Sequence, residues 1–360
     1  MTSGAPSPAP KTPRPHQQEA LAAVVAGFDR ADRGQLIMAC GTGKTLVGLW
    51  AAEALEATRT LVLLPSLSLL AQVLGEWTAN ASEPFPFLPV CSDPTVRGED
   101  EWVSSTADLG FPVTTDPVEV AAFLRKRGRR VVFSTYQSSP RIAEAQALGR
   151  VPAFDLVIAD EAHRTAGPAS TDFATILDAD AIKARRRRFM TATPRFFTGR
   201  VLKAAEEADL EVASMDDVEH YGPVFHRLTF GDAIGRDLLS DYRVVIVGVD
   251  DPMVATMAQE GRLVRLDGLD AHTDARTLAA HIGLAKTMRR FDLRRTITFH
   301  GRVRGARDFA ARLPQVIAWM PADQAPDGEV WAEHVSGGMP TGQRTTRLER
   351  LRHLDPGTRG

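Results

Sequence analysis

Cysteine is almost missing from this chain of 360 residues, which contains only Cys40 and Cys91. Cys40 lies in a glycine-containing loop that a disulfide would restrict, so we interpret both as reduced thiols of a cytoplasmic protein, with a small semi-buried residue as the simplest role for each. Long apolar runs are missing too, because no stretch of about 18 or more apolar residues occurs. The N-terminus also lacks a charged region followed by an apolar one. We therefore expect neither a membrane span nor a secretory signal.

The chain has little net charge, −2, so no global basic field predicts nucleic-acid binding, and such a partner would need a local basic patch. The densest basic run is Lys183-Ala-Arg-Arg-Arg-Arg188, which a phosphate contact and a basic helix end explain about equally well. Apolar residues make up 44% and charged residues 24%, as in soluble globular proteins, and the length suffices for two α/β domains. Residues 1–13 are rich in Pro, Ser, Ala and Gly and are predicted to form a disordered tail.

The segment Met38-Ala-Cys-Gly-Thr-Gly-Lys-Thr45 lies between a short apolar run and a helical pattern. A strand, a loop ending in Gly-Lys-Thr and a helix form the context of a phosphate-binding loop. Gly41 and Gly43 let backbone N–H groups approach phosphate oxygens at the positive end of the helix. Lys44 can reach the β- and γ-phosphates, and the Thr45 hydroxyl can ligate Mg²⁺. The first glycine of the general pattern is methionine here, so a chance turn before a helix remains the alternative.

Apolar runs of strand length alternate with helical patterns, which predicts an α/β fold with a parallel sheet covered on both faces. In such sheets, ligands bind at the carboxyl ends of the strands. The Gly-Lys-Thr loop, Asp160-Glu161 and Thr191-Ala-Thr-Pro194 all fall at the carboxyl ends of predicted strands. This convergence favours the phosphate-loop interpretation. The predicted strands are residues 35–39, 60–64, 130–135, 155–160 and 188–193.

The adjacent carboxylates Asp160 and Glu161 would, in isolation, indicate only a solvated turn. Downstream of a phosphate loop, Asp160 can hold the Mg²⁺ that bridges the phosphates, and Glu161 can orient or deprotonate the attacking water. His163 can sense the γ-phosphate and hydrogen-bond to the next strand end, where Thr191 and Thr193 supply hydroxyls. These residue types together predict nucleotide hydrolysis.

A predicted amphipathic helix begins at Arg14-Pro-His-Gln17. The Gln17 amide is both donor and acceptor and can read an adenine edge, although packing of the helix on the sheet explains the segment as well.

Taken in order, these segments resemble the N-terminal motor domain of superfamily 2 helicases of the DEAH-box type. The form of motif I is similar to that of restriction-enzyme motor subunits and of bacterial helicases with appended helicase-associated domains. The segments that carry the resemblance are Arg14-Pro-His-Gln17 (the adenine-reading segment), Met38 to Thr45 (motif I), Leu61-Val-Leu-Leu-Pro-Ser-Leu-Ser-Leu-Leu-Ala-Gln72 (motif Ia), Ser134-Thr-Tyr-Gln-Ser138 (motif Ib), Asp160-Glu-Ala-His163 (motif II) and Thr191-Ala-Thr-Pro194 (motif III).

The resemblance implies ATP and Mg²⁺ as cofactors and assigns roles to individual residues. Thr45 and Asp160 would hold Mg²⁺, and Thr191 and Thr193 would couple ATP hydrolysis to movement. The implied catalytic residues are Lys44, Asp160, Glu161 and His163. The implied ATP-binding residues are Arg14, Gln17, Gly41, Thr42, Gly43, Lys44 and Thr45.

The resemblance also implies a nucleic-acid partner, for which the form of motif I favours DNA over RNA. Small hydroxyl and amide side chains suit phosphate contacts that carry no sequence information, but helix caps and turns explain each of them about as well. No membrane partner is expected, whereas partner subunits or missing C-terminal domains are compatible with the resemblance. The candidate nucleic-acid-binding residues are Ser66, Gln72, Thr135 and Gln137.

The second half repeats the α/β pattern, with predicted strands at residues 242–249, 295–300 and 330–336. It resembles the first part of a second RecA-like domain, with Thr296-Ile-Thr-Phe-His300 at motif IV and Arg344 at a commonly basic position. The resemblance therefore implies two RecA-like parallel-sheet P-loop NTPase domains, residues 14–229 and 230–360, of which the second is incomplete.

The family pattern continues with motif V and with motif VI, Gln-x-x-Gly-Arg-x-x-Arg, neither of which occurs before Gly360. The segment Gly342-Gln-Arg-Thr-Thr-Arg347 has the wrong glutamine spacing. We therefore expect a truncated helicase, whether a gene fragment, a frameshifted product or a shortened chain. Because motif VI supplies arginine fingers worth roughly 10³ to 10⁵ in rate, this chain is expected to bind ATP·Mg but to hydrolyse it poorly.

Three interpretations follow from the sequence. The first is an ATP-dependent nucleic-acid motor, and the second is an ATP- and nucleic-acid-binding remnant with little or no ATPase activity. The third, another P-loop enzyme such as a kinase, is disfavoured because a kinase has no need for the coupling loop Thr191-Ala-Thr-Pro194.

Overall fold

The computed structural model describes residues 9–92, 112–168, 172–207, 212–248, 263–265, 272–339 and 341–360. The chain divides into two compact units, Met1–Asp241 and Tyr242–Gly360. The sequence placed a boundary after residue 229. The helix that follows, Phe230–Gly235, instead packs on the core of the first unit, as do Leu238 and Leu239.

The first unit is built on one seven-stranded parallel sheet, in the strand order β3-β4-β2-β5-β7-β1-β9. This confirms the predicted α/β fold with a parallel sheet. The strands of the described residues are Arg33–Met38 (β1), Arg59–Leu64 (β2), Phe87–Val90 (β3), Arg130–Thr135 (β4), Leu156–Asp160 (β5), Gly167–Pro168 (β6), Arg187–Thr191 (β7), Val212–Ala213 (β8), Val224–Leu228 (β9), Leu263–Arg265 (β10), His272–Asp274 (β11), Glu329–Val330 (β12) and Thr358–Arg359 (β13).

Helices connect the strands in the alternation that the sequence predicted. Three short 3₁₀ helices, Tyr136–Ser138, Ala162–Thr165 and Asp172–Ile176, follow strands or loops of the first unit. The α-helices of the described residues are Pro15–Phe28 (α1), Lys44–Ala54 (α2), Leu67–Asn80 (α3), Pro117–Arg125 (α4), Ser139–Ala147 (α5), Gly199–Glu207 (α6), Val218–Tyr221 (α7), Phe230–Gly235 (α8), Ala275–Arg290 (α9), Val303–Trp319 (α10) and Thr341–Arg352 (α11).

The register of the sheet brings the predicted motifs to one edge. Ile37 at the end of β1 lies opposite Thr191 at the end of β7. Asp160 at the end of β5 lies opposite Met190 of β7, and the last residues of β2 and β4 are also paired. Because all these strands run parallel, their carboxyl ends form a single rim, where ligands of such sheets bind.

Alternate side chains of the strands bury two separate cores, one on each face of the sheet. Along β2, Val62 and Leu64 pack with helices α1, α2 and α3, while Leu61 and Leu63 belong to the opposite core. On the first face, Trp77 makes edge-to-face contacts with neighbouring aromatic rings. Near-continuous apolar strands are expected of a sheet that is buried on both faces, and that is what the structure contains.

The second unit has a small core formed where α9 packs against α10, from Leu278, Ala285, Val316 and Met320. The predicted strand at 242–249 is absent from its described part, residues 242–248, where Ile246 is 93% exposed. The predicted strand at 295–300 is also absent, and Phe299 is exposed. A β-branched run forms a strand only beside a hydrogen-bonded neighbour, and no strand within the described ranges pairs with either segment. The predicted strand at 330–336 is reduced to β12, which pairs with β13.

Within the described ranges, no helix is both long and apolar enough to cross a membrane.

Two adjacent arginines of β7, Arg187 and Arg188, are both buried but differ in how well their guanidinium groups are hydrogen-bonded. The Arg187 guanidinium donates to three backbone carbonyl oxygens, those of Ile176, Ile182 and Ala184. Arg188 is fully buried on the other face and donates only from Nη1, to the carbonyl of Val47 at 3.3 Å, whereas its Nε and Nη2 have no partner among the described residues. Burial lowers the pKa of Arg188 to about 9, against the opposing effect of Asp160, so folding disfavours its charged form.

We expect opposite effects on stability from removing these two charges. Arg188→Met should raise the free energy of unfolding by roughly 1 to 4 kcal/mol, because a flexible apolar side chain replaces a poorly paired buried charge. Arg187→Met should lower it by about 1 to 3 kcal/mol, because three carbonyls lose their donor. Urea unfolding followed by circular dichroism measures both, and equal losses in the two variants would contradict this account of Arg188.

Candidate functional site

The loop between β1 and α2 has the backbone that the phosphate-loop prediction requires. Gly41 and Gly43 have φ values of 84° and 85°, in the left-handed region that favours glycine. Thr42 between them is buried, and its hydroxyl donates to the carbonyl of Ala39 at 2.6 Å. Gly43 is the N-cap of α2, so the loop presents the N-terminus of this helix at the carboxyl rim of the sheet.

The predicted adenine-reading segment is attached directly to this loop. The Gln17 Nε2 donates to the Thr42 carbonyl at 3.1 Å, and the His16 Nε2 lies 3.0 Å from the same oxygen. A Cβ atom added at Gly43 would lie 2.1 Å from Gln17 Nε2, so any other residue here would displace this amide from the Thr42 carbonyl. The other end of this amide accepts from the Arg14 backbone N–H at 2.9 Å, while the Arg14 side chain is exposed.

A chain of polar contacts links the three loops at the rim. The buried Lys44 Nζ lies 3.7 Å from Glu161 Oε1, and His163 Nδ1 lies 3.4 Å from Glu161 Oε2. The same His163 nitrogen lies 2.9 Å from Thr191 Oγ1, which in turn accepts from the Thr193 backbone N–H at 3.1 Å. The structure therefore brings together the phosphate loop, the carboxylate pair and the predicted coupling loop.

Glu161 has an unusual backbone for its residue type. Its φ of 50° and ψ of 44° lie in the left-handed region, which costs a non-glycine residue free energy and is found more often at functional sites than elsewhere. This conformation turns the chain sharply after Asp160, the last residue of β5, so that Glu161 does not continue the strand's alternation.

The two carboxyl groups have pKa values shifted in opposite directions. Burial, with the charge of Glu161, raises the pKa of Asp160 to about 6, although Lys44 opposes the rise. Burial also pulls the pKa of Glu161 upward, but the hydrogen bond from His163 and the charge of Lys44 outweigh it, so this pKa lies below its usual value. Glu161 is therefore an ionised acceptor at neutral pH, and Asp160 is a buried carboxyl that a nearby positive charge would ionise fully.

The oxygen donors at the rim fit a magnesium ion. The Asp160 carboxylate and the Thr45 hydroxyl are hard oxygen ligands, which Mg²⁺ prefers, and Mg²⁺ usually binds through one or two carboxylates together with phosphates. Among the described residues there is no group of three or more His, Cys, Asp or Glu that could hold a metal ion without such phosphates. Burial raises the pKa of Asp160 in spite of Lys44 and the hydrogen bond from the Glu161 N–H, and this buried carboxyl is the observation that favours a cation here.

The candidate nucleic-acid-binding residues differ in how accessible they are. Ser66 caps α3 by accepting from the Leu69 N–H at 3.4 Å, and Thr135 is buried with its hydroxyl donating to Ser138. Gln72 and Gln137 are exposed, so their amides are free to reach solvent. Their assignment to nucleic acid stays a prediction, and for Ser66 the structure contains the helix cap that was the alternative.

Three side chains at the site were not singled out from the sequence. The buried Tyr136 hydroxyl donates to the carbonyl of Asp160 at 2.7 Å, and the Trp77 Nε1 donates to the carbonyl of Thr45 at 3.1 Å. His16 shares the Thr42 carbonyl with Gln17. Tyr136 and His16 lie inside segments already quoted as motifs, so a polar aromatic within a motif was the available signal, whereas nothing in the sequence pairs Trp77 with the phosphate loop.

Comparison with known proteins agrees with this geometry. Residues 10–196 match the family described as "Type III restriction enzyme, res subunit". A probable helicase of African swine fever virus is 30% identical over 237 residues, which is 65% of this chain and 24% of that protein.

Two solved structures are similar over nearly the whole chain. One is the ATP-dependent Type ISP restriction-modification enzyme LlaBIII bound to DNA, with 30% identity and a TM-score of 0.78 over 98% of this chain and 24% of that one. The other is a nuclease-deletion mutant of the Type ISP enzyme LlaGI with a DNA substrate mimic, with 29% identity and a TM-score of 0.65 over 95% of this chain and 23% of that one. The chain thus spans about a quarter of the length of these relatives. From its sequence match, its fold and its site, this chain belongs to the Type III restriction enzyme res-subunit family, within the superfamily 2 helicases.

Proposed function

We propose that this chain is the motor part of an ATP-dependent DNA translocase or helicase of the DEAH type, acting in the cytoplasm. The observation that carries the proposal is the contact chain from Lys44 through Glu161 and His163 to Thr191. It joins the phosphate loop to two other rim loops, as a motor needs if it is to pass the state of the γ-phosphate to another part of the protein.

In this proposal the first unit binds ATP with its own residues. The backbone of Gly41 to Gly43 and the N-terminus of α2 hold the phosphates, Lys44 contacts the β- and γ-phosphates, and Gln17 and Arg14 recognise the base. Mg²⁺ held by Thr45 and Asp160 would neutralise charge on the phosphates. We assign the ATP-binding RecA-like domain to residues 14–229 and part of a second RecA-like domain to residues 230–360, of which the helix Phe230–Gly235 packs on the first unit.

Hydrolysis is assigned to Glu161. Its pKa is kept low by His163 and Lys44, so Glu161 is an ionised acceptor that can hold and orient the attacking water and receive its proton as the bond to phosphorus forms. His163 then senses the change at Glu161 and transmits it to Thr191, whose hydroxyl also contacts the Thr193 N–H.

DNA is the proposed track because the similar LlaBIII structure is bound to DNA. Exposed Gln72 and Gln137 would contact the sugar-phosphate backbone, with Ser66 and Thr135 placed at the same rim by their strands. Because the relatives are about four times longer than this chain, we propose that the motor works together with partner subunits or further domains.

The direct test measures binding and turnover separately. We expect the chain to bind a fluorescent ATP analogue with Mg²⁺, to lose at least about tenfold in affinity when EDTA removes the metal, and to bind oligodeoxynucleotides more tightly than RNA of the same sequence. Hydrolysis that rises when DNA is added supports the motor, whereas nucleotide binding with no turnover identifies a nucleotide-binding module. Preference for RNA would contradict the proposed track, and failure to bind ATP would overturn the proposal as a whole.

A further inference from the structure

Tyr136 is the first residue after β4 and one of the largest fully buried side chains of the chain. It lies in the core on the face of the sheet opposite helices α1 to α3. Its hydroxyl donates to the carbonyl oxygen of Asp160 at 2.7 Å, a short and buried hydrogen bond. Burial, reinforced by the charges of Asp160 and Glu161, raises the pKa of Tyr136 well above its usual range, so the hydroxyl keeps its proton and remains a donor.

This hydrogen bond crosses the sheet. Strand β2 lies between β4 and β5, so the ends of β4 and β5 are about 10 Å apart, or two strand spacings. Local hydrogen bonds between neighbouring strands cannot join these two ends, whereas a tyrosine at the end of β4 is long enough to do so. Tyr136 therefore ties the loop after β4 directly to the loop after β5.

The acceptor of this bond belongs to a special peptide group. The Asp160 carbonyl is part of the peptide bond that leads into Glu161, whose φ and ψ lie in the left-handed region. The amide of the same peptide, the Glu161 N–H, donates to Asp160 Oδ1 at 2.9 Å. Because its carbonyl oxygen and its N–H are both hydrogen-bonded, the orientation of this peptide plane is fixed. The direction in which the Glu161 side chain leaves the backbone is fixed with it.

We propose that Tyr136 is a positioning residue, whose hydroxyl holds the Asp160–Glu161 peptide and links it to the 3₁₀ helix that carries the exposed Gln137. This inference rests on the proposed function, because it deepens the ATP site and the DNA contact assigned there. When DNA contacts Gln137, the neighbouring Tyr136 transmits the change to Glu161 through a single hydrogen bond. ATP binding and DNA binding are then linked, and the linkage is equal in both directions.

The test uses Tyr136→Phe and a matched control in the same 360-residue chain. Tyr136→Phe removes only the hydroxyl. Tyr221→Phe is the control, because Tyr221 is also fully buried in the same core and its hydroxyl pairs with the Thr165 hydroxyl at 3.0 Å rather than with the Asp160 carbonyl. Both variants lose one buried hydrogen bond, so we expect similar, small decreases in Tm.

The readout is the affinity for a non-hydrolysable ATP analogue with Mg²⁺, measured with and without saturating oligodeoxynucleotide. For the wild type and for Tyr221→Phe we expect DNA to change this affinity by roughly 5- to 150-fold. For Tyr136→Phe the change should fall to less than about twofold, while the affinity for each ligand alone stays within about threefold of the wild type.

Three outcomes of these binding measurements would contradict the role of Tyr136. If Tyr136→Phe retains the wild-type ratio, or if Tyr221→Phe loses it equally, the hydroxyl only stabilises the core and the inference fails. If the wild type binds ATP and DNA without any linkage, the inference fails while the proposed function stands. If the wild type binds neither ligand, the proposed function has failed and the inference with it.

Discussion

Replacement of Lys44 by alanine is expected to weaken ATP·Mg binding by about 10² to 10⁴-fold. Lys44 is the buried cation of the phosphate loop, and its ion pair with Glu161 is a long one, with Nζ 3.7 Å from Oε1, so the ammonium group can still bind phosphate oxygens. Charge-assisted hydrogen bonds contribute about 1.5 to 3 kcal/mol each, and two phosphate groups are within the reach of this side chain. At about 1.4 kcal/mol for each factor of ten, losing both gives the stated range.

The same substitution removes a charge that acts on the neighbouring carboxyls. Lys44 helps to keep the pKa of Glu161 low and opposes the rise in the pKa of Asp160, so both values should increase in the variant. Lys126→Ala is a matched control, because Lys126 is exposed at the end of α4. Titration with a fluorescent ATP analogue compares the three proteins. If Lys44→Ala binds the ATP analogue as tightly as Lys126→Ala does, the assignment of this loop to the ATP site is wrong.

The core of the first unit was predictable because each central strand is a continuous apolar run and each rim loop begins where such a run ends. The strands β2, β4, β5 and β7 were predicted to within two residues at either end. In the second unit the same reasoning failed at residues 242–248 and 295–300, where apolar β-branched residues are exposed. The side-chain pattern of a segment indicates its propensity to form a strand. A strand also needs a hydrogen-bonded neighbour, and the sequence of the segment alone does not show whether it has one.

Only those contacts of the candidate site that join residues within the recognised motifs were predictable from the sequence. The contact between His163 and Thr191 was predicted from their motifs, and the structure contains it. The hydrogen bond from Tyr136 to Asp160 was not predicted, because it depends on strand order, which places β2 between β4 and β5, two strands that follow one another in the sequence. The left-handed backbone of Glu161 was also missed, since nothing about a glutamate indicates that conformation.

The second large effect is expected from Glu161→Gln, which should bind ATP·Mg about as well as the wild type but hydrolyse it roughly 10² to 10⁴ times more slowly. Glutamine has nearly the shape of glutamate and keeps an oxygen that can accept from His163, so the contact chain and the loop can persist. It cannot take a proton from water, and proton transfer by a positioned side chain contributes a factor of this size. Loss of the negative charge also removes a repulsion from the phosphates, so binding should not weaken.

Single-turnover hydrolysis with protein in excess over labelled ATP measures this effect even when turnover is slow, and filter binding of the same label measures affinity. Glu144→Gln is the matched control, since Glu144 pairs with Arg141 on the exposed face of α5. A general base predicts that only Glu161→Gln separates binding from hydrolysis. If ATP binding and hydrolysis both decrease in Glu161→Gln, Glu161 instead holds Lys44 and His163 in place. A carboxylate with a purely structural role is needed for ATP binding as well as for hydrolysis. If neither falls, the water is activated by another group, and the low pKa of Glu161 reflects only its ion pair with Lys44 and His163.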